Sequence, residues 1–183
     1  MRMPARSAIA FALLLGACAG SGEPPPYDAV PAGAARLYFD APELGGAAAR
    51  HFHAEHGEAG YSVDRARWDA PGGAAAELML IETRNPNGLA VPGDPRDEVA
   101  NFADLVKLKA TFGTLYQSET AVGPAIWRRF VAGDKSCVVF SQRWDKGAGT
   151  PVERTLFGYY CAAPGVAFDL QDAQGVLRFA GIR

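Results

Sequence analysis

Three histidines and one carboxylate fall within six residues of this chain, in the stretch HFHAEH from His51 to His56, and these are its only histidines. Imidazole and carboxylate groups are common ligands of zinc and of non-haem iron. Whether they can meet on one ion depends on the backbone. On a strand, His51, His53 and Glu55 would share one face, whereas on a helix the three histidines would point in different directions.

The residues around this cluster favour a helix. A run of alanines precedes it, and Gly57 follows it as a natural helix stop. On this interpretation the histidines lie at a solvated helix end, where the helix dipole favours their charged form. A site for zinc or another divalent transition metal, built from His51, His53 and Glu55, is the alternative hypothesis. The sequence predicts no other cofactor.

A second candidate combines one aromatic and two cationic residues on neighbouring predicted strands. Trp127 and Arg129 lie in AIWRRFVA, and Arg143 lies in SCVVFSQRW. If they share a face, they form a cationic, aromatic surface that could hold a carboxylate, a phosphate or peptidoglycan. The alternative is an ordinary exposed sheet face, on which the arginine stems cover apolar area.

Catalytic signatures are absent from the sequence. It contains no G-x-S-x-G, S-x-x-K, phosphate-binding glycine loop or H-E-x-x-H. We therefore assign no catalytic residue and expect a non-enzymatic binding or scaffolding domain. A metal-binding or metal-dependent protein that uses the histidine cluster is the second hypothesis.

The N-terminus has the layout of an export signal. The basic stretch MRMPARS precedes about ten apolar residues, which are too few to span a membrane. The tetrapeptide LGAC, Leu15–Cys18, resembles the lipobox of bacterial lipoproteins. The resemblance implies that residues 1–17 are removed as a signal peptide and that Cys18 is acylated. An ordinary export signal cleaved near Ala17 or Ala19 is the alternative.

The lipobox also bears on location and partners. Ala19, rather than aspartate, follows Cys18, which under the enterobacterial sorting rule favours the outer membrane, facing the periplasm, over the inner membrane. Loss of two arginines with the signal leaves 16 Lys and Arg against 20 Asp and Glu, a formal charge of −4 without a basic run. Nucleic acid is therefore not an expected partner. The expected partners are the membrane, through Cys18, and an envelope protein or ligand that the sequence does not identify.

The mature chain divides into a tether and one domain. Residues 18–35 are rich in Gly, Pro and Ala and are predicted to be flexible, and residues 36–183 are predicted to fold as a single domain. The predicted elements are a helix over 45–57, strands over 61–69 and 76–84, a helix over 94–113, strands over 125–132, 136–144 and 154–161, and a helix over 164–183. This order predicts an α+β fold, with an antiparallel sheet of about five strands, helices packed against it and a C-terminal helix.

The distal half has a further resemblance. The succession VGPAIWRRFVAG, CVVF, LFGYYCAAPG and LRFAGIR resembles small envelope domains of the PsbP, Mog1 and DcrB type. The resemblance implies a sheet meander closed by a terminal helix, and it carries no functional residue.

Two cysteines remain if Cys18 is acylated. In a symmetric hairpin centred on Gly149, Cys137 lies directly opposite Cys161 on adjacent antiparallel strands. Opposed residues in such a pair have Cα atoms about 4.5–5.5 Å apart, which is within disulfide range. Because exported proteins keep disulfides, we predict a Cys137–Cys161 bridge that stabilises the domain by about 3 kcal/mol.

Overall fold

The computed structural model describes residues 27–84, 88, 93–120, 122–144 and 154–183. For residues 143 and 144 it describes the backbone alone. Ten strands account for most of this part of the chain. They are β1 Asp28–Val30, β2 Leu37–Phe39, β3 Arg50–His56, β4 Tyr61–Asp69, β5 Ala75–Thr83, β6 Ala110–Thr120, β7 Gly123–Ala132, β8 Lys135–Trp144, β9 Arg154–Cys161 and β10 Ala180–Ile182. The helices are α1 Ala103–Val106, α2 Leu170–Val176 and three 3-10 helices, Ala32–Ala34, Pro42–Leu44 and Pro95–Asn101.

Eight of these strands form one antiparallel sheet in the order β1-β3-β4-β5-β9-β8-β7-β6, and β10 and β2 form a separate pair. The fold is therefore mainly β, with 51% of the described residues in strands and 17% in helices. The predicted α+β class with about five strands is wrong. Three segments that were expected to be helical are largely responsible for the difference.

The first of these segments is the histidine stretch, which is strand β3 and not the end of a helix. All seven of its residues pair with β4, from Arg50 opposite Arg67 to His56 opposite Tyr61. Its outer edge pairs with β1. Local helix propensity is a weak preference, and pairing on both edges of the strand overrides it.

The second segment, 94–113, begins as predicted but does not continue as one helix. The Asp94 side chain caps its first turn by accepting the N–H of Arg96. Two short helical pieces follow, and they bury Phe102 and Leu105 against the sheet. Strand β6 begins at Ala110, because residues 110–112, which the predicted helix included, pair with β7.

The predicted C-terminal helix is also too long. Helix α2 covers only Leu170–Val176 and begins at a capping box formed by Asp169 and Asp172. Within the remaining residues, Ala180–Ile182 form β10, which pairs with β2 near the start of the domain. The terminal segment therefore changes from helix to strand because β2 offers it a partner.

The predicted hairpins and the disulfide are confirmed. Strands β4 and β5 pair with each other, as do β7 and β8. In the β8–β9 pair, Cys137 lies opposite Cys161, and the register is the one expected for a hairpin centred on Gly149. The two sulfurs are bonded, and the Cα atoms are 4.1 Å apart.

The large sheet buries apolar side chains on both faces. The first, which we call the tryptophan face, carries Trp68 and Trp127 and is covered by β2, β10 and α2. The second, which we call the disulfide face, carries the two cysteines and is covered by the 3-10 helix Pro95–Asn101 and by α1. Successive strand residues alternate between these two faces.

The N-terminal part of the domain begins inside the predicted tether. Within residues 18–35, Asp28–Val30 form β1, which pairs with β3 at one edge of the sheet. Residues 1–26, which contain the predicted signal and Cys18, lie outside the described residues. Among the helices of the described part, none is long and apolar enough to cross a membrane.

Candidate functional site

The strand conformation of β3 places His51, His53 and Glu55 on the tryptophan face. The His53 ring lies between two carboxylates, with Nδ1 2.7 Å from Asp64 Oδ1 and Nε2 3.3 Å from Glu55 Oε1. The hydrogen bond to Asp64 is the main cause that raises the pKa of His53 above its usual value. The adjacent His51 behaves in the opposite way, because burial and the positive charge of Arg183 lower its pKa.

His51, His53 and Glu55 are not arranged as a metal site. Both ring nitrogens of His53 contact carboxylates, and the His51 ring packs edge-on against Trp68, with centroids 6.0 Å apart. Throughout the described residues, no group of three or more His, Cys, Asp or Glu side chains is arranged to hold a metal ion. The cluster instead extends as ion pairs, because Arg36 Nη1 lies 3.0 Å from Asp64 Oδ2.

The structure does not place Trp127 on an exposed surface with Arg129. Trp127 is 2% exposed, and its indole N–H donates to Ser118 Oγ at 3.0 Å. Arg129 shares the tryptophan face and donates to the Phe168 carbonyl oxygen. Residue 143 lies in β8 opposite Thr155 of β9, and the Arg143 side chain lies outside the described part of the chain.

A charged cluster that the sequence analysis did not identify lies on the disulfide face. We call it the Glu77 cluster, and it comprises Arg50, Arg65, Arg67, Asp69, Glu77 and Asp104. Glu77 is 3% exposed and accepts a hydrogen bond from Arg65 Nε. Burial raises the pKa of Glu77, and the charge of Arg65 opposes that shift. Arg67 pairs with Asp69 at 2.7 Å and also with Asp104.

The Glu77 cluster links the sheet to the helical cover of the disulfide face, by which we mean the 3-10 helix Pro95–Asn101 together with α1. Arg67 of β4 reaches Asp104 of α1, and Arg65 donates to the Asn101 carbonyl oxygen at 2.9 Å. A signal for it was present in the sequence, since Arg65 and Arg67 are two residues apart on a predicted strand. The β4–β5 register then places Arg67 opposite Glu77. Because its carboxylates are held by arginines, the cluster is best explained as structural.

A groove of about 460 Å³ lies on the tryptophan face beside α2. We call it the α2 groove. Its more buried lining residues are Tyr160, Ala162, Phe168, Val176 and Phe179, and its exposed rim includes Glu43, Gln171, Asp172, Gln174 and Arg178. The groove therefore joins an aromatic, apolar floor to a polar rim, which is the usual composition of a small-molecule site.

Local sequence explains how this groove is built. The Asp169 carboxylate accepts the N–H groups of Gln171 and Asp172 at 2.7 and 2.9 Å, which starts α2 directly after Phe168. The Tyr160 ring of β9 packs against Phe168 at a tilt of 42°, with centroids 5.5 Å apart, and so forms the floor beneath α2.

Tyr160 brings a phenol group to the groove. The residue lines the groove and is 1% exposed. Burial, and then the negative charges of Glu43 and Asp172, raise its pKa to about 12. The phenol is therefore protonated at neutral pH.

Comparison of this chain with family models, with curated proteins and with solved structures finds no match. Interpretation of the α2 groove therefore depends on the chemistry of its lining. That chemistry combines apolar area, one phenol and a rim that carries two carboxylates and one guanidinium.

Proposed function

We propose that this protein is a lipid-anchored domain of the bacterial cell envelope that binds a small ligand without converting it. The tetrapeptide LGAC supports acylation of Cys18 and attachment to the outer membrane, facing the periplasm. The single observation that carries the binding function is the α2 groove, which joins a buried floor of Tyr160 and Phe168 to a polar rim.

Binding fits this groove better than catalysis does. The Tyr160 hydroxyl is protonated at neutral pH, so it acts as a hydrogen-bonding group and not as a nucleophile or base. The Glu77 carboxylate, which burial would suit to acid–base work, is held by Arg65 beneath the helical cover. A ligand in the groove would instead gain apolar contact with Phe168 and a hydrogen bond with Tyr160.

Gly175 offers a direct test, because it lines the groove and a Cβ added to it meets no atom within 4 Å. We expect Gly175→Trp to fill the groove without disturbing the fold. The protein would be extracted from its own membranes in mild detergent and examined by native mass spectrometry. Wild type should carry a small-molecule adduct that Gly175→Trp lacks.

Gly57 supplies the matched control, since it also has open space around its Cβ position and lies outside the groove. Gly57→Trp should keep the adduct. Wild type should also gain melting temperature when it is mixed with the small-molecule fraction of its own envelope, as expected of a protein whose ligand binds the native state. An adduct and a thermal response that are absent from wild type, or are equal in all three proteins, would contradict the proposed binding function.

The anchor is tested separately by Cys18→Ser. Stable attachment to a bilayer needs two or more acyl chains, so this variant should move from the membrane fraction to the soluble fraction. Ser21→Ala, a change of similar size three residues later, should partition as wild type does. Equal partitioning of Cys18→Ser and wild type would refute the anchor.

A further inference from the structure

The segment between α1 and β6 leaves apolar side chains in water. Val106, the last residue of α1, is 56% exposed, and Leu108, two residues later, is 42% exposed. Lys107 and Lys109 alternate with them and are also exposed. We call residues 106–109 the VKLK segment. Because Leu105 already packs α1 into the core, the exposed pair is not needed to hold the helical cover on the sheet.

The two lysines of this segment keep an uncompensated charge. No carboxylate of the described residues pairs with Lys107 or Lys109. The other charges around the groove that Leu108 lines balance one another, as two ion pairs and two neighbours of opposite sign: Arg67–Asp104, Arg50–Asp69, and Asp134 beside Lys135. The VKLK segment is therefore a locally cationic point on a chain whose overall charge is negative.

The described chain begins on the same side of the sheet. The centre of the Tyr27 ring lies 5.8 Å from the Arg65 guanidinium carbon, and Arg65 donates to the Asn101 carbonyl oxygen of the helical cover. Tyr27 also lines one groove together with Ala103, the first residue of α1. Tyr27 follows Cys18 by nine residues, which reach roughly 30 Å at full extension. A chain acylated at Cys18 is therefore held to a bilayer from the side that carries the VKLK segment.

We infer that the VKLK segment rests on the surface of an anionic bilayer, with Val106 and Leu108 among the headgroups and Lys107 and Lys109 beside lipid phosphates. Binding to such a surface increases with buried apolar area and with the attraction of cations to anionic lipid, and the segment offers both. This inference rests on the proposed attachment through Cys18 and adds the orientation of the domain, with the α2 groove opening away from the bilayer. A short tether gives an effective concentration of about millimolar, so a weak contact is enough.

Vesicle binding tests this contact in the absence of acyl chains. The full exported chain carrying Cys18→Ser would be sedimented with vesicles of phosphatidylcholine, or of equal parts phosphatidylcholine and phosphatidylglycerol, at millimolar lipid. Its affinity for the anionic vesicles should be at least about fivefold higher, and raised salt should remove the difference. A contact of this strength does not hold Cys18→Ser on washed membranes, so the test of the anchor stays separate.

Matched variants locate the contact. Leu108 and Leu170 are 42% and 41% exposed, but Leu170 lies in α2 on the opposite face. Leu108→Ser should weaken binding to anionic vesicles by about fivefold, because it removes exposed apolar area, whereas Leu170→Ser should leave it unchanged. Lys107→Gln should weaken the same binding by about fivefold. Arg183→Gln, which removes a cation that lies over the Tyr38 ring of β2, should not, and melting curves would show that all four variants are folded.

The outcomes separate this inference from the proposed function. Absence of binding, equal binding to the two kinds of vesicle, or equal losses in Leu108→Ser and Leu170→Ser would overturn the inference. Self-association of the chain without lipid, abolished by Leu108→Ser, would assign the VKLK segment to a second copy and would overturn it as well. The anchor would still be decided by the partition of the acylated protein, and the α2 groove by the native adduct and its loss in Gly175→Trp.

Discussion

The two halves of the large sheet are stabilised in different ways. Strands β8 and β9, near the middle, bury mainly apolar residues and no ion pair on their described side chains, and Cys137 and Cys161 cross-link them. Strands β3 and β4, towards one edge, carry ion pairs on both faces, including Arg36–Asp64 on the tryptophan face and the Glu77 cluster on the disulfide face. Position in the sheet explains the difference.

A strand that is covered on both faces requires apolar side chains at successive positions, as in Val138 and Val139. A strand nearer the edge keeps part of its surface in water, so it can hold charges if each one finds a partner. We therefore expect the two halves to respond differently to loss of a charge, to reduction, to pH and to salt. The predictions below test that difference, from the largest expected effect to the smallest.

Loss of one partner of the buried ion pair should have the largest effect. Glu77→Ala leaves Arg65 beneath the helical cover without its carboxylate, and breaking a buried pair costs about 3–5 kcal/mol. The free energy of unfolding would be measured by urea titration. The double variant with Arg65→Ala should lose less than the sum of the two single losses. Additive losses would show that the two side chains do not stabilise each other.

Removal of the disulfide should cost slightly less. Replacing both Cys137 and Cys161 by alanine should lower the free energy of unfolding by about 2–4 kcal/mol in the chain-entropy account. Added salt should leave this loss unchanged, in contrast to the losses at exposed pairs in the other half. Two free thiols in the unreduced, unfolded wild-type protein would show that the bridge is not formed.

The two histidines on β3 should shift the pH dependence of stability in opposite directions. The folded pKa of His53 is raised, so its stabilising contribution is present below its unfolded value of about 6.5 and is lost as pH rises through the folded pKa. The folded pKa of His51 is lowered, so its contribution is lost as pH falls through that range.

Two variants separate these contributions. His53→Gln should therefore destabilise more at pH 5 than at pH 8, whereas His51→Gln should remove a penalty that wild type has at pH 5. NMR titration should place the pKa of His53 above that of His51, and the reverse order would contradict the ion-pair description of β3.

An exposed pair in the same half should contribute least. Arg50 Nη2 lies 2.6 Å from Asp69 Oδ2, but the two side chains are 61% and 44% exposed. Arg50→Gln should therefore cost less than about 1 kcal/mol, and raised salt should reduce even that. A cost equal to that of Glu77→Ala would mean that contact distance, and not burial, sets the value of these pairs.

The sequence predicts the hairpins well because their determinants are local. Alternation along 61–69, a turn rich in Gly and Pro, and a second apolar run are enough to set the β4–β5 pairing. The Cys137–Cys161 register follows in the same way from the symmetry about Gly149.

The helix predictions fail where distant partners decide the conformation. The alanines before His51 and the cap at Asp94 both favour a helix locally. The residues that follow them form strands β3 and β6 because they pair with β4 and β7. The α2 groove is of the same kind, since Glu43 and Tyr160 are far apart in the chain. Only the assembled fold brings the two residues to one groove.

The pairing of β2 with β10 sets an order of assembly for this domain. A polypeptide is synthesised from its N-terminus, so Leu37 and Phe39 are made well before Ala180 and Ile182, with which they pair. Until β10 is made, the apolar side chains of Leu37 and Phe39 have no closing strand, and the tryptophan face lacks part of its cover. Folding of this face therefore cannot finish while the chain is still being synthesised up to β10.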